Sequence, residues 1–182
     1  MPDISEAKIL MIATHGYEDS ELLDPRRILM ERGAEVTLAS LETGEIEGDG
    51  GATAKVDCTI GEVEAGDYDA LVLPGGTKNP DKLRMNEAVV ATIRAFADAG
   101  KPIAAICHGP WLLVEADLVR GRRVTGWPSI RTDLRNAGAE VVDAEAVTDG
   151  NIVTSRKPED IPAFTDALIA LVEKAEAPLE TA

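Results

Sequence analysis

Aromatic side chains are scarce in this chain. Two Phe, two Tyr and two Trp are spread over 182 residues. A core must therefore be filled by Val, Ile, Leu and Ala, which the 45% hydrophobic content supplies. Long apolar runs are absent too; none approaches the roughly 20 residues that a membrane-spanning helix needs. Cysteine is limited to Cys58 and Cys107, too few for a disulfide framework. A reducing, cytoplasmic compartment is the economical expectation. Basic residues are outnumbered, 18 Lys and Arg against 33 Asp and Glu, a formal charge of −15. Such a field repels nucleic acid and anionic membranes, so neither is expected as a partner. The opening M-P-D-I-S-E-A-K has no basic region leading into an apolar stretch, so no secretory signal is expected. There is no internal repeat, linker or low-complexity block, and the length suits one domain over 1–182. Its ordered core would run from about residue 8 to 175 between short tails, with Glu176–Ala182 frayed.

What is present alternates between strand and helix patterns. Lys8–Ala13 is a continuous apolar run, as expected of a strand buried on both faces. After Thr14–Asp19 a helix capped by Asp19 or Ser20 should run to Arg32, interrupted or restarted at Pro25 and closed by Gly33. Ala34–Ser40 reads as a strand, Glu42–Gly51 as a loop or hairpin, and Ala54–Ile60 as a half-exposed strand. Asp69–Leu73 is another buried strand, and Asn79-Pro80-Asp81 reads as a turn. Glu87–Ala99 has helical spacing, and Ile103–Ile106 is a strand. Beyond it come a helix, a basic turn at Arg120–Arg123, a short strand running into a turn over Val124–Pro128, and a helix over Ile130–Ala137. Short strands at Glu140–Val142, Ala146–Val147 and Ile152–Thr154 and a last helix over Pro162–Ala175 complete the chain. The order predicts an α/β fold with a mainly parallel sheet.

Lys101–Leu113 is the most informative stretch. Ala105-Ile106-Cys107-His108-Gly109 has the small-x-nucleophile-x-Gly shape of a nucleophile elbow, and Pro110 suits the first turn of the helix that follows. A cysteine so placed sits at the carboxyl edge of the sheet, facing the positive end of a helix, where a thiol ionises more readily. Alternatively, Cys107 is a small buried hydrophobe. Ligands of open α/β sheets bind at that same edge. His15 and Glu18 follow the first strand, Gly75-Gly76 the Asp69–Leu73 strand, and Cys107-His108 the next. This clustering favours the nucleophile. Cys58 has neither a base nor a helix start beside it and reads as structural.

A thiolate at Cys107 needs donors and a proton carrier. The N–H of His108 is half of an oxyanion hole, and Gly75 or Gly76 can present the other half. Alternatively the two glycines form only a tight turn. Glu18 beside a thiolate would repel it unless one member keeps its proton. The expectation is a protonated Glu18 donating to the sulfur, against the simpler role of a helix cap. His108 adjoins the nucleophile in sequence, where side chains usually diverge. A dyad requires a sharply bent elbow and a third group orienting the ring. His15 reads as a loop residue or, alternatively, a wall of the pocket.

These residues resemble the PfpI intracellular protease family, within the superfamily that includes the parkinsonism-associated deglycase. The resemblance runs from about Lys8 to Val172. It is carried by Glu18-Asp19-Ser20-Glu21-Leu22, by Asp69–Gly76, by the Ala105–Pro110 elbow and by Asn136-Ala137-Gly138. It implies a flavodoxin-like α/β three-layer sandwich that forms homodimers or higher assemblies such as hexamers. It also implies a Cys107 nucleophile hydrogen-bonded to Glu18, and an oxyanion site from the backbone of Gly76 and His108. In the protease members the His pairs with a Glu of a neighbouring subunit. The resemblance places that Glu in the loop after the Gly-Gly pair; here the loop is Thr77–Asp81, about one residue longer, and it offers Asp81, shorter by a methylene. Trp127-Pro128 matches an aromatic-Pro step of the family and would wall the pocket or pack in the core.

Three activities remain open on that likeness. One is glutathione-independent glyoxalase III or deglycase chemistry on α-oxoaldehydes or glycated groups, a stress-response role that needs no distant His. The second is peptide hydrolysis through an acyl-enzyme. The third is a non-enzymatic redox sensor or chaperone, with Cys107 oxidised to sulfinic acid. Glutamine amidotransfer is rejected, because no His follows His108. A zinc site from Cys58, Cys107, His15 and His108 lacks the usual ligand spacing, so neither a metal nor a cofactor is expected.

Overall fold

A computed structural model describes residues 3–175; the expected frayed tail, Glu176–Ala182, lies outside the described residues. Its centre is a seven-stranded sheet. The first strand, β1 (Lys8–Ile12), pairs in parallel with β2 (Glu35–Ser40) on one side and β6 (Ala70–Leu73) on the other. Beyond β6 come β7 (Ile103–Ile106), β11 (Ile152–Ser155) and the antiparallel edge strand β10 (Val147–Asp149). Beyond β2 lies the short β5 (Cys58–Thr59). The chain thus leaves β1 toward one edge and returns to the other side of it at β6. That reversal is the topological switch point, where the carboxyl ends of neighbouring strands open a crevice.

Alternate residues of each strand enter opposite cores, as the pleat requires. Ile9, Met11, Val72, Ala104 and Ile106 face α1 (Asp19–Glu31) and α6 (Ile161–Ala175), with Leu22, Leu29, Phe164, Leu168 and Val172. Leu10, Ile12, Leu71, Leu73 and Ile103 face α3 (Glu87–Asp98), α4 (Pro110–Glu115) and α5 (Arg131–Asn136). The alternation of elements gives the expected mainly parallel sheet, and the helix layers on both faces make the three-layer sandwich that the family resemblance implied. The two Phe are divided between these layers, Phe164 on one face and Phe96 on the other, both fully buried. Tyr17 and Met11 are also fully buried, and aliphatic residues supply most of the remaining filling.

Three expectations need correction. Pro25 does not interrupt α1; it is buried on the sheet-facing side, where packing offsets the missing N–H. Asn79-Pro80-Asp81 is not a free turn but part of α2 (Lys78–Leu83), with Pro80 in the first turn, where no N–H partner is required. Ala54–Ile60 is not one strand. Thr53–Lys55 (β4) pairs with Glu45–Glu47 (β3) in a separate hairpin, and the chain then crosses to the main sheet at Cys58. Asp57 makes that crossing: its carboxylate accepts the Leu38 N–H at 2.8 Å while its own N–H donates to the Leu38 carbonyl at 2.9 Å. The remaining elements include β8 (Arg123–Val124) and β9 (Glu140–Val141), a small parallel pair.

Candidate active site

β7 ends at Ile106, and the next residue turns sharply. Cys107 has φ +63°, in the left-handed region that a side-chain-bearing residue rarely adopts. Such a conformation costs on the order of 1–3 kcal/mol, and surrounding bonds must hold it. The Cys107 N–H donates to Ser155 on β11 at 3.0 Å, and its carbonyl accepts the Trp127 N–H at 2.9 Å. Pro110 then starts α4 directly behind the thiol. This is the elbow read from the sequence.

The acidic partner differs from the expected one. Glu18 is the N-cap of α1: its carboxylate accepts the Glu21 N–H at 3.0 Å and the hydroxyl of Ser20. One turn into the helix, Glu21 is wholly buried, and it is Glu21 that faces Cys107. A Cβ on Gly75 would collide with both the Glu21 carboxyl and Cys107 Cβ, so only glycine allows the three to meet. The carboxyl also faces the N–H groups of Gly75 and Gly76, although neither oxygen has a partner at full hydrogen-bond geometry. Burial, and then the Glu18 charge, pushes the Glu21 carboxyl up to about 8. Burial, and then the Glu21 carboxyl, pushes the Cys107 thiol up as well, while the N–H groups of Gly76 and His108 pull it down. Two groups in such contact titrate as a pair. Near neutral pH the carboxyl keeps its proton, so the sulfur meets a neutral acid and the repulsive part of its upward push is absent.

His108 does reach the nucleophile. The positive φ of Cys107 brings Nδ1 of the ring to 3.3 Å from the sulfur. The third group is Ser129, whose hydroxyl lies 3.4 Å from Nε2. Trp111 meets the ring edge-on at a centroid distance of 5.0 Å, and Trp127 stacks over it at 6.2 Å, so Trp127 walls the site and is not a core residue. Burial depresses the imidazole, while the Asp49 charge pulls it back up. Asp81 lies exposed on α2, and among the described residues no carboxylate is hydrogen-bonded to His108. His15 is an exposed loop residue whose Nδ1 accepts the Glu47 N–H at 3.0 Å. Cys58 sits on the edge strand β5, with its thiol pushed up by burial.

A family model described as DJ-1/PfpI family matches residues 7–171. The chain belongs to the DJ-1/PfpI family. It is 45% identical over 166 residues to Deglycase PH1704 of Pyrococcus horikoshii, across 91% of this chain and 99% of that one. It is also 45% identical over 170 residues to General stress protein 18 of Bacillus subtilis, across 92% and 98%. A crystal structure of Drosophila melanogaster DJ-1beta superposes with a TM-score of 0.84 at 28% identity, covering 93% of this chain and 95% of that one. The DJ-1/PfpI-like part of a two-domain protein from Anabaena variabilis superposes with a TM-score of 0.90 at 36% identity. That match covers 92% of this chain and 48% of the two-domain protein.

Glu21, Ser129 and Trp111 of this DJ-1/PfpI site were not singled out from sequence. Ser129 lies in a 3₁₀ turn distant from the elbow in sequence and carries no local signal. Glu21 did carry one. With Leu22, Pro25 and Leu29 it forms the buried stripe of α1, so a carboxylate stood on an apolar face.

Proposed function

We propose that this chain is a cysteine-nucleophile enzyme acting on α-oxoaldehydes or glycated groups without glutathione. The observation that carries the reading is the buried Glu21 carboxyl, neutral near pH 7, set against Cys107 between two backbone N–H groups. In the tautomer with its proton on Nε2, His108 directs that proton at Ser129 and leaves Nδ1 to take the thiol proton. The thiolate adds to the aldehyde carbon of methylglyoxal, and Glu21 protonates the new oxyanion to give a hemithioacetal. Glu21, now a carboxylate, takes the C1 proton and returns it to C2 by way of an enediolate, while the C1 hydroxyl proton passes to the C2 oxygen. The product is a lactate thioester, which water hydrolyses to lactate; the proton held on His108 returns to the sulfur, and the proton released with lactate restores neutral Glu21. Metal and glutathione take no part in these steps. The deglycase names of the relatives support the same chemistry.

The test is purified protein with methylglyoxal and no glutathione. Lactate should form, Cys107→Ala should abolish it, and Glu21→Gln should lower kcat about 100-fold, the usual worth of a positioned acid or base. No lactate from the wild type overturns the reading. Peptide hydrolysis is the second reading, favoured by the 3.3 Å contact between Cys107 and His108. It would require a homo-oligomer in which Asp81 of one copy meets His108 of another. A fluorogenic peptide assay with size-exclusion chromatography tests it. Inactivity in both assays, with ready oxidation of Cys107 by intact mass, would favour a redox sensor. The two free cysteines suit a reducing, cytoplasmic setting.

A further inference from the structure

Asn79 is a fully buried polar residue with no part in the chemistry above, and its side chain makes three hydrogen bonds near the sulfur. Its Oδ1 accepts the Thr14 N–H at 2.8 Å, at the carboxyl end of β1. Its Nδ2 donates to the carbonyls of Pro74 and Gly75, each at 3.0 Å, at the end of β6. The Gly75 carbonyl accepts a second bond, from the Glu18 N–H at 3.4 Å. Asn79 thus ties the two strands of the switch point to each other through the Gly-Gly turn.

The consequence follows from the planarity of the peptide. The Gly75 carbonyl and the Gly76 N–H belong to one trans peptide, so they point in opposite directions. Holding the carbonyl toward Asn79 aims the N–H the other way, toward Cys107. The flanking residues cannot do this alone, because a Gly-Gly peptide can rotate at little steric cost. We propose that Asn79 is a positioning residue: its amide fixes the Gly75–Gly76 peptide so that the Gly76 N–H faces the Cys107 sulfur and the oxyanion formed there. The proposal rests on Cys107 being the nucleophile but not on which substrate it attacks.

The test is the rate of Cys107 alkylation by iodoacetamide against pH, with Cys58→Ser as background. Asn79→Leu removes all three bonds and keeps the branching at Cγ. Asn79→Asp keeps the acceptor for Thr14 but loses the amide donor to Pro74 and Gly75. Both variants should shift the alkylation midpoint upward by about one pH unit and slow alkylation at pH 7 about tenfold. Thermal melts establish that each variant is folded. Lowered melting temperatures with a wild-type alkylation profile would make Asn79 purely structural and overturn the proposal. So would a wild-type profile in Asn79→Asp alone, since the Thr14 bond would then suffice. A wild type that resists alkylation would instead count against Cys107 as nucleophile.

Discussion

A carboxyl that is wholly buried beside a thiol must leave a thermodynamic trace. Glu21 is neutral in the native state up to about pH 8, whereas in the unfolded chain it ionises near 4.5. Between those values the unfolded state holds fewer protons, so stability falls as pH rises. The contribution is complete below 4.5 and fully lost above 8. Glu21→Gln cannot titrate, so relative to it the wild type should lose about 1.4 kcal/mol per pH unit across that window. Urea unfolding of both proteins at intervals from pH 5 to pH 8 measures the difference; parallel stability curves would mean that Glu21 ionises normally. At this scale the sequence was legible in part. Cys107, Gly75 and Gly76 announced themselves through the elbow pattern and the residues ending a strand. Glu18 and Glu21 could not be separated by position alone, because both follow β1. What separates them is helical phase: Glu18 caps the start of the helix, and Glu21 lies on the stripe shared with Leu22, Pro25 and Leu29. The contact of His108 with Cys107 was hidden for another reason. It depends on a positive φ at a non-glycine residue, which local sequence does not encode.

Elements were most legible where one physical cause acted alone. Ile103–Ile106 is a run of apolar residues buried on both faces, and it forms the strand expected of it. The chain between residues 42 and 60 was less readable, because side chains rather than periodicity decide its path. Asp57 breaks the apparent strand, and Asp19 holds the hairpin that results. The Asp19 carboxylate accepts the Gly50 N–H at 3.1 Å and the Ala52 N–H at 3.2 Å, the Asp49 N–H donates to the Tyr17 carbonyl, and the Tyr17 hydroxyl donates to Ala52. These bonds fasten the tip that carries Asp49, whose charge acts on His108. Asp19→Ala should therefore free the hairpin without dissolving the sheet. The expected loss is about 1–2 kcal/mol for two partly solvated charge-assisted bonds, together with faster hydrogen exchange at the Gly50 and Ala52 amides. Unchanged exchange at both would mean that the hairpin is held by its apolar contacts, chiefly the buried Ile46 and Ala54.

On the scale of the whole molecule the deficit of basic residues has a kinetic consequence. The catalytic crevice opens at the carboxyl edge of the sheet, in a chain of formal charge −15. An anion approaching it climbs an unfavourable potential, and a neutral molecule does not. An uncharged aldehyde suits such a protein better than a carboxylate or phosphate ester of the same size. Two alkylating reagents of nearly equal shape isolate this effect, neutral iodoacetamide and anionic iodoacetate. At about 10 mM salt the Debye length is roughly 30 Å, so most of the surface charge is felt at the crevice; near 1 M it shrinks to roughly 3 Å. The rate ratio of iodoacetamide to iodoacetate at Cys107, in a Cys58→Ser background, should therefore exceed that of a free thiol at low salt. It should fall toward the free-thiol ratio as salt is added. A ratio indifferent to salt would mean that Lys78, Lys82 and Arg84, the cations carried on and beside α2, cancel the acidic field where the substrate enters.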